Sequence, residues 1–380
     1  MAEKANLSII ILTASPESKA TKSIINAGEA RGHKMHTFNP SELNLLISNN
    51  VKGYDRVYHA APDYHRPERI NVRECDAVIS RIGADLPYGS AVLEHFNKNL
   101  NVFCTQSADG IKTASNKLIS LQRLSQNGVK VPKTVIGNNI VHAKWLIEQV
   151  GGLPAIAKTL QGSQGVGVFP LMDKIQTNAM LESFYKSKTN LIIQEMIDAG
   201  RKDIRAIVID GKVVVAMERM AKEDELRSNI SLGGSGKKVY LSEEDQKICI
   251  DAANAVGLGG AAGVDLMKDK NNVSYIIEVN SNYGYKVEDI TNTDISTPLI
   301  EYCERNHHKG SIATPTTSAS SDNQLAYWSF TALYAGLEIA RKSEKHIEDI
   351  KRQIRFALTN MGLTENDLES DARDIYRKFM

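Results

Sequence analysis

Residues 261–280, AAGVDLMKDKNNVSYIIEVN, narrow the possible folds more than any other stretch. Two apolar runs flank the polar turn KDKNN, the pattern of an antiparallel hairpin. Ile276 and Ile277 read as buried strand, yet Glu278 and Asn280 follow. Two residues apart, these side chains leave the strand on one face. Directly opposed residues of an antiparallel pair also share a face. A turn centred near Lys270–Asn271 sets Asp265 opposite Ile276 or Glu278, and in either register Asp265 joins Glu278 and Asn280. A buried carboxylate is costly unless it is paired or bound to a metal. Two carboxylates and an amide oxygen suit a hard divalent ion such as Mg2+, with Mn2+ as a variant. An exposed polar sheet face would carry the same letters.

The rest of the chain supplies two textures. Over the first hundred residues strands alternate with helices: LSIIILTAS, then ESKATKSIINAGEARGH ending near Gly32, then KMHTFNP, CDAVISRIG, the helix YGSAVLEHFNKNL and NVFCTQ. That order predicts a small α/β domain with a mainly parallel sheet. No glycine-rich phosphate loop follows the first strand, which argues against a dinucleotide-binding Rossmann domain. A helix follows at SNKLISLQRLSQNG, read as capped by Ser115 and ended by Gly128. From about 153 the strands lengthen (LPAIAKTL, VGVFPLM, NLIIQEMI, DIRAIVID, KVVVAMERM), and the turn Asp210-Gly211-Lys212 joins the last two. This part reads as antiparallel α+β, with an amphipathic helix over 242–257. GLGGAAG (257–263) follows a helix and precedes a strand, the wrong order for a dinucleotide loop, and reads as a helix end and tight turn. The expected divisions are an α/β domain over 1–110, a small lid over 111–190, a larger subdomain over 191–308, a Ser/Thr-rich linker over 309–322 and a helical appendix over 323–380.

Bulk properties exclude several classes. Of four cysteines none forms a CxxC pair, which argues against zinc and structural disulfides and for a reducing cytoplasm. A net charge of +1 gives no reason to expect nucleic acid or an anionic membrane as partner, and no apolar run reaches the length of a membrane span. His307 and His308 at the linker have no third ligand nearby and read as a non-metal pair.

Other segments carry chemistry beside the hairpin. In AIAKTLQGSQGVGVFP a strand bearing Lys158 runs into Gly162, Gly165 and Gly167, whose backbone can approach phosphates closely and form a mobile flap. A glycine-rich hairpin without a ligand would look alike. Lys117 opens a helix and, alone, reads as an exposed lysine. Gln194, Glu195, Met196 and Ile197 end an apolar strand that can offer backbone groups to adenine and Glu195 to a ribose or amino group. Residues 201–238 are dense in Arg and Lys, among them Arg205, Arg219, Arg227, Lys237 and Lys238, a composition that suits an acidic acceptor or a solvated face. Arg227 with Asn229 stands out as a grip for carboxylate or phosphate.

In their order these segments resemble the ATP-grasp superfamily of carboxylate–amine ligases over roughly 7–305, in particular the branch of the ribosomal-protein glutamate ligase RimK. The resemblance rests on SNKLISLQRLSQNGVKVPKT, AIAKTLQGSQGVGV, LIIQEMI, GRKDIRAIVIDGKVVVAMERMA, LRSNISLGG, AAGVDLM and YIIEVNSNYG. It implies an α/β N-terminal domain followed by an α+β module whose two subdomains clasp ATP. It implies that Lys117 and Lys158 contact ATP phosphates beneath the flap of Gly162, Gly165 and Gly167. Gln194, Glu195 and Ile197 would hold the adenine end, Asp203 and Arg205 would line the cleft, and Arg227 with Asn229 would face the transferred phosphoryl group or acceptor. Asp265, Glu278 and Asn280 would bind two Mg2+.

The implied reaction is ATP-dependent formation of an amide between a carboxylate and an amino acid amine, through an acyl phosphate. The acceptor would be a small molecule, peptide or protein tail, and the enzyme a homo-oligomer joined through its C-terminal helices. After EVN the family continues with a small residue and Ser-Pro-Gly, whereas this chain has SNYGYKVED. That loop is expected to border the acceptor pocket. A nucleotide-binding regulator or scaffold derived from such a ligase is the alternative.

Overall fold

The computed structural model describes residues 6–47, 56–62, 65–71, 74–160, 167–222 and 234–307. The expected linker and helical appendix, residues 309–380, lie outside them, as do Gly162, Gly165, Arg227, Asn229 and His308.

The N-terminal region begins with β1 (Ser8–Leu12), α1 (Lys19–Ala30) and β2 (Lys34–Phe38). Ser18 caps α1 by accepting from the Thr21 N–H, and Gly32 takes the left-handed turn that ends it. A small antiparallel sheet follows, β3 (Leu43–Leu46), β4 (Arg56–His59) and β5 (Glu68–Arg69), which no alternation in the sequence announces. Then come β6 (Ala77–Ser80), α2 (Leu86–Glu94) and β7 (Phe103–Cys104). The main sheet has the order β2-β1-β6-β7, parallel throughout, as expected of the apolar runs. Its chain order reverses between β1 and β6.

Next are α3 (Ala108–Ser115) and α4 (Lys117–Gln126). The cap of α4 is Asn116 rather than Ser115, which closes the preceding helix; Asn116 Oδ1 accepts from the N–H groups of Leu118 and Ile119 at 3.1 and 3.2 Å. A four-stranded antiparallel sheet, β10-β9-β11-β8, is built from β8 (Thr134–Gly137), α5 (Ala143–Gln149), β9 (Ala155–Thr159), β10 (Val168–Leu171), α6 (Lys174–Lys186) and β11 (Leu191–Glu195). The expected division at 190/191 falls inside this sheet, because β11 pairs with both β9 and β8.

The largest sheet, β14-β13-β12-β15-β16, is antiparallel throughout. It comprises β12 (Lys202–Ile209), β13 (Lys212–Met220), β14 (Ser235–Val239), then α7 (Glu243–Ala255), β15 (Ala261–Lys268) and β16 (Ser274–Asn280), before α8 (Lys286–Thr291) and α9 (Ser296–Asn306). Asp210 and Gly211 both have positive φ and close the two-residue hairpin between β12 and β13.

One apolar cluster joins this sheet and α7 to one face of the N-terminal sheet, through Val208, Ala216, Val264, Ala252 and Ile10. Another joins its opposite face to α1 and α9, through Ile207, Val215, Ile24, Leu299 and Ile300. The sheet β10-β9-β11-β8 has a separate core with α5 and α6. Polar bolts reinforce these unions: Gln106 Nε2 donates to the carbonyls of Ala261 and Ser281, both at 2.7 Å, and Arg31 at the end of α1 grips Glu304 of α9 with two bonds of 2.8 and 2.7 Å.

Candidate active site

Alternation along the largest sheet divides one of its faces. On β12, Ile207 and Ile209 are buried in apolar contacts, while Asp203 and Arg205 on the same face begin a polar patch. The register aligns Arg219 of β13 with Asp203, Asp265 of β15 with Arg205, and Glu278 of β16 with Asp265. Asn280 stands opposite Gly263.

The alignment of Glu278 depends on a bulge. Leu266 pairs with Ile276, so strict alternation would oppose Asp265 with Ile277 and send Glu278 to the far face. Ile277 is instead the extra residue, and beyond it Glu278 faces Asp265. Of the two registers open to the sequence, the structure has Asp265 against Glu278. Gly263 allows the chain after Asn280 to cross the sheet: a Cβ there would lie 2.7 Å from the Cβ of Tyr283.

The carboxylates are held by arginines. Arg205 makes a two-bond pair with Asp265, Nε to Oδ1 at 2.7 Å and Nη2 to Oδ2 at 2.6 Å. Arg219 makes the same pair with Asp203, at 2.7 and 2.6 Å, and reaches Asp265 Oδ2 at 3.1 Å. Burial works to raise the pKa of Asp265, but Arg205 and Arg219 overcome it and hold the group at about 2. Asp265 is therefore ionised at neutral pH with 5 % of its surface exposed. Asn280 Nδ2 lies 3.5 Å from Asp265 Oδ2, so the amide sits beside the carboxylate.

The opposing wall carries lysines. Lys117 begins α4, whose first N–H bonds to the carbonyl of Leu160 just beyond β9. Lys117 Nζ is 3.7 Å from Glu278 Oε1. Lys158 on β9 donates to Gln194 Oε1 at 2.7 Å, and Gln194 Nε2 donates to Thr134 Oγ1 at 2.9 Å. Burial pushes the Lys158 ammonium down to about 8; Glu278 and Asp265 pull it up, and Lys117 adds to the depression. Lys117, Lys158, Ile192, Ile277 and Glu278 line one small cleft.

The expected site residues thus divide. Asp265, Glu278, Asn280, Lys117, Lys158 and Arg205 come together. Gln194, expected at the adenine end, is buried and both ends of its amide are engaged, so it positions Lys158. Asp203 is buried with both oxygens on Arg219 rather than open to the cleft. Glu195 Oε1 accepts from the Lys133 N–H at 2.7 Å at the half-buried end of β11, close in sequence to the half-buried Ile197. Gly167, the described residue of the expected flap, has positive φ; a Cβ there would fall 2.1 Å from Thr159 Oγ1. Arg219 was legible only as one cation of a basic stretch, yet it is the most enclosed member of the ion-pair ladder.

The donors fit a hard divalent cation. Glu278 and Asn280 are half-buried and Asp265 is ionised; all three side chains carry oxygen, with both Asp265 oxygens held by Arg205 and the Asn280 amide nitrogen turned toward Asp265. Among the described residues no group of three or more His, Cys, Asp or Glu side chains converges to hold a metal ion, so the candidate site rests on two carboxylates and an amide. Arg205, Arg219, Lys117 and Lys158 outnumber Asp203, Asp265 and Glu278, a balance that favours an anionic ligand.

Comparison with known proteins places this geometry. Residues 114–303 match the family described as the RimK-like ATP-grasp domain, and residues 7–111 match the RimK PreATP-grasp domain. A probable alpha-L-glutamate ligase 1 of Shewanella denitrificans is 37% identical over 304 residues, covering 79% of this chain and 98% of that protein. A probable alpha-L-glutamate ligase of Saccharophagus degradans is 36% identical over 301 residues, 78% of this chain and 95% of its own length. Among solved structures, the ATP-grasp ligase PsnB complexed with a minimal precursor superposes with a TM-score of 0.62 at 21% identity, covering 78% of this chain and 98% of its own. D-cycloserine synthetase DcsG gives 0.59 at 12% identity, covering 79% and 99%. At such identities the structures share the fold.

Proposed function

We infer that this chain, which belongs to the RimK-like ATP-grasp family and is an ATP-dependent carboxylate–amine ligase, joins the amine of L-glutamate to a carboxylate acceptor such as a peptide or protein tail. The choice of glutamate follows the names of the relatives. The observation that carries the site reading is the opposition of Asp265 and Glu278 across a bulged pair, with Asn280 beside them and two lysines facing them.

In this reading an acceptor carboxylate attacks the γ-phosphorus of ATP, ADP leaves, and an acyl phosphate forms. The amine then attacks the acyl carbon and phosphate leaves. No protein nucleophile is needed; the chain supplies positioning and charge. Lys117 and Lys158 would neutralise phosphate oxygens, and Gln194 holds the Lys158 side chain toward the cleft. Arg205 keeps Asp265 ionised and in place. Mg2+, or Mn2+ in its stead, held by Asp265, Glu278 and Asn280, would draw negative charge from the phosphates. Gly162, Gly165, Arg227 and Asn229 complete the proposal as flap and phosphoryl grip. The proposed setting is the cytoplasm and the proposed state a homo-oligomer; among the described residues no helix is long and apolar enough to cross a membrane.

The test is incubation with ATP, Mg2+, L-glutamate and carboxylate-bearing peptides, read by mass spectrometry for amide products and by ADP release. Glu278→Gln is expected to lower turnover by about 100-fold or more with the thermal midpoint nearly unchanged, since one transition-state charge partner is worth about 3–4 kcal/mol. Near-normal turnover in that variant would overturn the site assignment.

A further inference from the structure

A second cavity, of about 540 Å3, opens beside the reaction site and falls within the size range of small-molecule pockets. Its walls include Thr13 and Ser15 after β1, Arg81 and Gly83 after β6, and Asn282 and Tyr285 of the loop that follows β16. β1 and β6 are the adjacent strands between which the order of the parallel sheet reverses. Open parallel sheets bind ligands outside the carboxyl ends of their strands at such a reversal. Asn282 is two residues beyond Asn280, at most about 7 Å of chain, so cavity and metal-ligand candidates are neighbours.

Arg81 defines the chemistry. Its guanidinium carbon lies 5.2 Å from the ring centre of Tyr283 and 5.0 Å from that of Tyr285, and the two rings are nearly parallel. Nη2 donates to the Tyr283 carbonyl at 2.9 Å. Nη1 is buried and has no hydrogen-bond partner among the described residues. A buried guanidinium donor left without an acceptor is costly and calls for one. The surroundings favour an anion. Lys19 and Lys286 line the cavity, its one acid, Asp289, is already paired with Lys19, and α1 begins here with no acid in its first turn. No glycine-rich cradle for phosphate follows β1. A rigid guanidinium fork suits a carboxylate.

We propose that this cavity seats the incoming amino acid and that Arg81 takes one of its carboxylates through Nη1. The SNYGY loop then acts in substrate selection, since Tyr283 and Tyr285 fix the arginine. The proposal rests on the ligase reading and names the site of its amine-bearing substrate.

The experiment titrates L-glutamate, L-glutamine and L-isoglutamine into the full chain saturated with Mg2+ and the non-hydrolysable analogue AMPPNP, for wild type, Arg81→Gln, Arg81→Lys and Lys286→Glu. Wild type is expected to bind glutamate, and to bind one of the two amides roughly 10- to 100-fold more weakly, the value of one charge-assisted hydrogen bond. Arg81→Gln should lose that factor for glutamate and no longer distinguish acid from amide, Arg81→Lys should recover part of it, and AMPPNP affinity should not change. A merely structural role for Arg81 would weaken acid and amide alike, and that result overturns the proposal, as does unchanged glutamate affinity. If the Arg81 variants do not fold, Lys286→Glu decides: weakening of about threefold or more supports the cavity, and no change counts against it. AMPPNP binding without glutamate binding in wild type refutes this proposal alone. Failure to bind AMPPNP removes the ligase reading and this one with it.

Discussion

Arg219→Gln tests whether the ion-pair ladder stabilises the sheet as its geometry requires. Arg219 is 2 % exposed and Asp203 is 7 % exposed, and the guanidinium occupies both oxygens of that carboxylate. Asp265 keeps Arg205 after the substitution; Asp203 loses the group that takes both its oxygens. Removing one partner of a buried pair costs about 3–5 kcal/mol, because the other charge is left in a poorly solvated place. Against a typical total of about 5–15 kcal/mol that is a large loss, readable as a lowered urea midpoint. Adding Asp203→Asn to Arg219→Gln removes the buried carboxylate charge and should restore at least about 1 kcal/mol, so the two losses are not additive. An Arg219→Gln variant within about 1 kcal/mol of wild type, or an Asp203→Asn change that adds its own full cost, would refute this account.

Two further outcomes are open to direct measurement. Hydrogen bonds from Arg31, helped by His33 and opposed by burial, hold Glu304 at about 2, below its ordinary 4.5. Its contribution to stability is therefore complete above about 4.5 and is lost as pH falls toward about 2; Glu304→Gln should flatten the unfolding midpoint over that range, and equal slopes would refute the role. Gly263→Ala places a Cβ 2.7 Å from that of Tyr283, so a loss of about 1–3 kcal/mol is expected in denaturant titration, with weaker amino acid binding as the loop shifts; wild-type stability would show that the loop gives way freely.

The sequence carried the scaffold because local rules write it. Alternating apolar runs and helices mark the parallel sheet, and Asp210-Gly211 marks a tight hairpin by supplying two positive φ angles. Glu278 and Asn280 could be grouped from strand periodicity alone, whereas Asp265 reaches their face in the structure only through the bulge at Ile277. What could not be read depends on contacts distant in the chain or on register. Nothing in Tyr-Ile-Ile-Glu-Val-Asn distinguishes a straight strand from one with Ile277 bulged. Arg219 looks like one more solvated cation until Asp203 is placed opposite it. Gln194 looks like a nucleotide contact until β9 brings Lys158 alongside. Arg81 ends an ordinary strand, and its meaning comes from Tyr283, 202 residues later.

The four-stranded sheet that carries Lys158 encloses its own apolar core with α5 and α6, whereas the N-terminal and largest sheets share theirs. Mechanically the chain is an anvil and a separate hammer. The smaller sheet meets the rest at a cleft lined by Ile192 and Ile277 as well as by Lys158 and Glu278, so tilting it as one body would leave both apolar cores closed and uncover only this small seam. Lys158 stands on the smaller body and Glu278 on the larger, and a polyanion arriving between them would supply a force that draws the two together.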